Sequence, residues 1–140
     1  MDEKRILKVL SAVPLFTGLD QNYLELIARI IVTRQFEKGA TIVEQGDNGI
    51  GFYIIESGKV EVFKERAGEK VHLTDLGEGA FFGEMALFEE TPRTASVVAL
   101  EPTTCYIITR WHFTSAIADN PSIAVQLLPI VVRRVSQMSE

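Results

Sequence analysis

The stretch Phe52-Tyr53-Ile54-Ile55-Glu56-Ser57-Gly58-Lys59-Val60-Glu61-Val62-Phe63-Lys64 holds two runs of β-branched and aromatic residues parted by a serine and a glycine. Short runs of this kind, bounded by turn formers, read as strands. In the second run Val60 and Val62 alternate with Glu61 and Phe63, the period of a strand with one face in a core and one face wet.

The same texture extends outward from Thr33 to Thr109, where nine of the ten glycines fall, so turns punctuate this whole region and spare the ends. Strands are expected at Ile31 to Phe36, Thr41 to Glu44, Phe52 to Glu56, Lys59 to Lys64, Lys70 to Asp75, Thr94 to Ala99 and Thr103 to Thr109. Val71 and Leu73, alternating with His72 and Thr74, are expected on a core face. Many short antiparallel strands bury their edges best by closing on themselves. The expected fold is mainly β with flanking helices: an antiparallel β-roll or jelly-roll barrel over residues 32–109, N-terminal helices over 1–31, and a C-terminal helical lid over 110–140, all in one domain.

Before the strands, Ile6, Leu7, Leu10 and Val13 recur at helical spacing, and Asp20 precedes a second helix whose buried stripe is Leu24, Ile27, Ala28 and Ile31. After them, Trp111 to Ala118 and Pro121 to about Met138 read as two further helices, with Asn120 as cap and Trp111 as the aromatic that anchors the helix on the roll. Pro129 removes one helical hydrogen bond, so a kink or break is expected near Val125 to Leu128.

Composition narrows the function. The 140 residues suit a single globular domain, and 46% hydrophobic against 24% charged residues excludes a disordered chain. A net charge of -5 without a basic run disfavours nucleic acid and anionic membranes, and no segment approaches the length of a membrane span. Cys105 is the lone cysteine and sits in an alternating apolar run, which points to a buried, inert thiol and a cytoplasmic setting.

Phe82-Gly83-Glu84-Met85-Ala86-Leu87, followed by Pro92-Arg93-Thr94-Ala95, sets a carboxylate and a guanidinium nine positions apart around a glycine turn. A short helical turn from Glu84 would aim N–H groups at an anion, Arg93 adds a fork of donors, and ionised Glu84 can accept from a sugar hydroxyl. The small side chains of Ala86 and Ala95 leave room for a ligand against the backbone, and Thr91-Pro92 fixes the entry to Arg93. A structural ion pair between Glu84 and Arg93 is the plainer alternative.

These two segments resemble the phosphate-binding cassette of cyclic nucleotide-binding domains. Phe36-Glu37-Lys38-Gly39, Glu44-Gln45-Gly46-Asp47, Tyr53-Ile54-Ile55-Glu56-Ser57-Gly58 and Leu76-Gly77 are similar to landmarks of the same family in the same order, so the resemblance covers nearly the whole chain. It implies a non-enzymatic regulatory module for signal transduction. The implied ligand is cyclic AMP (cAMP) or, through a hydroxyl at Thr94, cyclic GMP (cGMP), with no other cofactor and no metal. The implied binding residues are Gly83, Glu84, Met85, Ala86, Arg93, Thr94 and Ala95. By that resemblance Glu84 holds the ribose 2′-hydroxyl, and Arg93 and the amides of Ala86 and Thr94 hold the cyclic phosphate. Val62 and Leu73 are expected beside the base.

The resemblance also implies movement of the C-terminal helices on binding. Asn120-Pro121 through Arg133-Arg134 is similar to the start of the dimerising helix of catabolite activator-type regulators, which suggests a homodimer through Ile123, Leu127, Val131 and Val135. The sensory half of such a regulator is thus a second expectation, as is a degenerate member sensing another effector. The chain reaches Glu140 without a helix-turn-helix, so no DNA binding by this chain is expected, and Ser139 is the one polar residue near where a base contact would fall. His72 and His112 lack companions at metal-ligand spacing, which argues against a cupin-type metal centre. Ser57, Ser96 and Ser115 lack a nucleophile context, and Asp47-Asn48-Gly49 reads as turn chemistry.

Overall fold

The computed structural model describes residues 3–138, apart from the side chains of Val135 and Met138. The expectations placed on Ser139 and on the Val135 side chain lie outside what is described. The chain divides into two compact units, one of residues 31–110 and one of residues 1–30 with 111–140.

The first unit is built from β1 (Val32–Phe36), β2 (Thr41–Val43), β3 (Gly51–Ser57), β4 (Val60–Arg66), β5 (Glu69–Leu76), β6 (Phe81–Phe82), β7 (Ser96–Ala99) and β8 (Thr103–Thr109). They form two antiparallel four-stranded sheets, ordered β1-β8-β3-β6 and β2-β7-β4-β5, in keeping with the expected β-roll. Alternate residues of both sheets meet in one apolar cluster: Tyr53, Ile55, Cys105 and Ile107 from the first, Ile42, Val60, Val97 and Ala99 from the second. The period of two seen in the sequence is what brings them together.

Two local departures have physical causes. β6 was absent from the expected strands because it is only two residues long, yet its rings pack: Phe81 lies edge-on to Phe52 at 5.4 Å and Phe82 stacks on Tyr53 at 5.0 Å. Val71 and Leu73, expected in the core, are 39% and 46% exposed. β5 is an edge strand bonded only to β4, and only its last residue, Leu76, packs against the cluster between the sheets. The pairing also slips, with Val62 opposite Thr74 and Phe63 opposite His72, which leaves Leu73 as the extra residue of a β-bulge.

The second unit holds α1 (Glu3–Ser11), α2 (Gln21–Ile30), a short 3-10 turn at Pro14–Phe16, most of α3 (Arg110–Asp119), and α4 (Ser122–Met138). Ile6, Leu10, Val13, Leu24, Ile27 and Ala28 are buried, as their spacing required. Asp20 and Gln126 bind each other twice: Asp20 N–H donates to Gln126 Oε1 at 2.9 Å, and Gln126 Nε2 donates to Asp20 Oδ2 at 2.8 Å.

Trp111 does not serve as the anchor expected of it, being 52% exposed with its nearest ring partner in the adjacent His112. The buried aromatic is Phe113, whose ring centroid lies 6.4 Å from that of Phe16. No break occurs near Val125 to Leu128, since α4 runs on through Pro129. The proline deprives the Val125 carbonyl of its helical donor, but Val125 is 66% exposed, so water can satisfy that oxygen while the rest of the ladder holds. Ile123 and Leu127, named for a dimer face, are buried within the chain, and the apolar residues of α4 left outside are Val125, Leu128 and Val132.

Candidate functional site

Gly83 begins the site. Its φ of 81° is a left-handed conformation that favours glycine, and it caps a 3-10 turn over Glu84–Leu87. A Cβ there would stand 2.1 Å from Arg93 Nη1 and 3.0 Å from its Cζ, so the missing side chain is the space in which the guanidinium lies. Glu84 follows directly, with its Oε2 atom buried.

The backbone of Arg93 is held on both sides by the loop between β2 and β3. Arg93 N–H donates to Asp47 O at 2.7 Å, and Gly46 N–H donates to Arg93 O at 2.9 Å. Gly49 N–H to Thr91 O at 3.1 Å and a bridge between Asn48 and Pro92 continue this small ladder. The turn read at Asp47-Asn48-Gly49 falls instead at Gln45 and Gly46, closed by Asp47 N–H to Glu44 O at 3.1 Å, and Asn48 and Gly49 belong to the ladder that fixes the arginine.

The Arg93 side chain is only partly engaged. Nη2 donates to Gly51 O at 2.8 Å, the guanidinium carbon lies 5.7 Å from the Tyr53 ring centroid, and Nε is buried with no hydrogen-bond partner. Burial pulls the Arg93 pKa below its ordinary value, and the Tyr53 phenol pulls it back. Burial likewise raises the Tyr53 pKa, against the opposing pull of Arg93 and then Arg34. A desolvated guanidinium with an unused donor is a costly arrangement unless something anionic completes it.

The remaining expected residues are distributed around this centre. Ala86 is buried, Ala95 half-buried, Thr94 exposed, and Met85 is 52% exposed. The amide of Ala86, expected to face a phosphate, donates to Gly83 O at 3.1 Å inside the turn, so in this conformation it serves the turn. Val62 packs partly against the core cluster, whereas Leu73 sits on the exposed bulge of β5.

A cavity of about 340 Å³ adjoins Arg93 and is lined also by Arg34, Val43, Asp47, Ile50 and Tyr53. Arg93 is the only expected site residue on its wall; Glu84, Thr94, Val62 and Leu73 are elsewhere. Tyr53 and Gly49 entered the sequence reading only as parts of a family landmark and a turn, and Arg110 did not enter it. Three glycines among the six residues Gly46 to Gly51 were a usable signal for a close backbone approach, whereas Arg110 carried none.

The profile of the family described as "Cyclic nucleotide-binding domain" matches residues 33–120, more than half of the chain. The chain belongs to the cyclic nucleotide-binding domain family. Among its relatives, a Cyclic AMP receptor protein of Thermus thermophilus is 35% identical over 125 residues, which cover 89% of this chain and 58% of that protein. A cAMP-dependent protein kinase regulatory subunit of Mucor circinelloides is 40% identical over 105 residues, covering 75% of this chain and 25% of that one. In structure, the N-terminal domain of a transcriptional regulator from Streptomyces coelicolor superposes with a TM-score of 0.87 at 27% identity, covering 99% of this chain and 94% of that one. The chain thus spans little more than half of the first relative and a quarter of the second. Among the described residues no helix is long and apolar enough to cross a membrane, and no group of ligating side chains could hold a metal ion.

Proposed function

We propose that this cyclic nucleotide-binding domain is a non-enzymatic sensor for a purine cyclic mononucleotide, with cyclic AMP favoured over cyclic GMP. The observation that carries this reading is the Arg93 guanidinium, half-buried against Gly49 and Gly83 with its Nε donor buried and unused. A cyclic phosphate monoanion matches that positive charge. Glu84, adjoining the same glycine, takes the ribose 2′-hydroxyl, and Gly83, Met85, Ala86, Thr94 and Ala95 complete the contact. Val62 and Leu73 border the base. The names of the Thermus and Mucor relatives, both of which specify cyclic AMP, support the choice of ligand.

Binding is read out by repositioning of α3 and α4, which requires that the ligand bind one arrangement of the chain better than another. The exposed Val125, Leu128 and Val132, at helical spacing on α4, suit a homodimer contact. The near-complete coverage of an N-terminal regulator domain favours, as a second reading, service as the sensory part of a transcription regulator. Coding sequence running past Glu140 into a helix-turn-helix would support that second role, and a stop codon there would defeat it.

Calorimetric titration with both cyclic nucleotides tests the main reading. A true ligand at about 100 times its dissociation constant should add roughly 2.7 kcal/mol of stability. Arg93→Leu should abolish binding while the β-sheet circular dichroism is retained. Absence of stabilisation by either nucleotide, or near-native affinity in Arg93→Leu, refutes it.

A further inference from the structure

Outside the pair Arg93 and Glu84, three chain segments converge on one other side chain. Arg110 follows β8 directly, and its Nη1 donates to the carbonyl of Gly49 at 2.9 Å and to that of Ala86 at 3.3 Å. Its Nη2 stands 3.9 Å from Glu90 Oε2, while the other oxygen of that carboxylate accepts from Asn48 Nδ2 at 3.1 Å. The Arg110 side chain is 22% exposed, so its two carbonyl bonds form largely away from solvent, where charge-assisted bonds hold geometry best, while the Glu90 side chain is 61% exposed and adds little.

What Arg110 holds is the frame around Arg93. A Cβ on Gly49 would meet Arg93 Nε at 2.9 Å and the Ala86 Cβ at 3.1 Å, so the Gly49 backbone, the guanidinium and Ala86 are packed against one another. Gly49 belongs to the β2–β3 loop, Ala86 to the turn after Gly83, and Glu90 to the segment leading into Arg93. No backbone hydrogen bond joins Gly49 to Ala86 among the described residues; the Arg110 fork joins them instead.

We propose that Arg110 is a positioning residue for the anion site, fixing the separation of the Gly49 and Ala86 carbonyls and so the slot in which the Arg93 guanidinium is presented. Arg110 touches no ligand in this scheme. Lysine at the same place retains the charge but supplies a single point of donation, so it preserves one carbonyl contact and loses the spacing. The inference rests on the proposed function for its effect on ligand affinity, and on the geometry alone for its effect on the turn.

Hydrogen exchange of the protein without ligand, followed by nucleotide titration, separates the two. In Arg110→Met the amides of Ala86, Phe88 and Glu89, which close the turn, should exchange about tenfold faster or more, while those of the β4–β5 hairpin are unchanged. Cyclic AMP affinity should fall by about tenfold, and Arg110→Lys should recover part of both effects. Should Arg110→Met fail to fold, the lysine variant alone decides by the same two readouts. Unchanged exchange at the turn, or acceleration spread evenly over all strands, overturns the proposal. If the unsubstituted protein binds neither nucleotide, the proposed function fails, and the exchange data still decide the role of Arg110.

Discussion

β3 and β5 are both rich in residues that favour strands, yet one is buried and the other is not. β3 has a hydrogen-bonded neighbour on each side, and Gly51 through Ile55 are all buried. β5 has β4 alone, and Glu69 through Asp75 are all exposed. The alternation of Val71 and Leu73 resembles that of a core strand, but alternation states only that two faces differ. Which face is covered depends on what the assembled sheets bring opposite it: Ile42 of the edge strand β2 is covered, whereas Val71 and Leu73 of the edge strand β5 are not.

Substitutions in the two strands should therefore diverge. Ile55→Ala removes a fully buried side chain from the cluster between the sheets and is expected to cost about 2–5 kcal/mol, read as a lower denaturant midpoint at unchanged slope. Leu73→Ala, on the exposed bulge, is expected to cost less than about 1 kcal/mol. Equal losses would show that β5 is covered in solution by something that faces it. The second variant also sharpens the ligand assignment: if Leu73 borders the base, cyclic AMP affinity should drop several-fold with stability nearly intact.

Cys105 extends the contrast to chemistry. It lies in the same cluster as Ile55, and burial pushes its thiol up to about 11 from 9.0. A raised pKa in the folded state contributes stability that is complete below pH 9.0 and is lost as pH climbs toward 11. Alkylation of the folded protein should accordingly proceed only at the rate of unfolding, at any pH below that window. Rapid labelling of native protein at neutral pH would place Cys105 outside the core.

The sequence carried the architecture well because its signals were local. Strand runs, turn glycines and the helical stripes of Leu10, Leu24 and Ile27 depend on neighbours a few residues away, and the structure has them. The pair Glu84 and Arg93 was legible for the same reason, as a short motif around a glycine. Distant partners were not legible. Tyr53 beside the guanidinium, Gly49 across the slot, and Arg110 binding two carbonyls become neighbours only through the pairing of β3 with β8 and the ladder from Gly46 to Arg93. The exchange of roles between Trp111 and Phe113 has the same origin, for two positions along the helix decide which ring meets Phe16.

The smallest expected effect lies on the outer face of β4 and β5. Glu61 receives Lys70 Nζ at 2.8 Å on one oxygen, and His72 Nδ1 stands 2.7 Å from the other. The hydrogen bond from Lys70, then that with His72, holds the Glu61 carboxyl below its ordinary value of 4.5. A lowered pKa means that the contribution is complete above pH 4.5 and is lost as acid carries the folded protein through its own, lower value. Lys70 and His72 are about half exposed and the Glu61 side chain 15%, so salt should weaken the effect in part. Lys70 and His72 both lie on β5, so the loss should be confined to the β4–β5 hairpin: its amides should exchange faster in acid while those of β3 keep their protection. Glu61→Gln should remove that acid-dependent difference. Equal loosening of β3 would show that Glu61 acts on the whole unit, and the edge strand would then be no more independent than the centre.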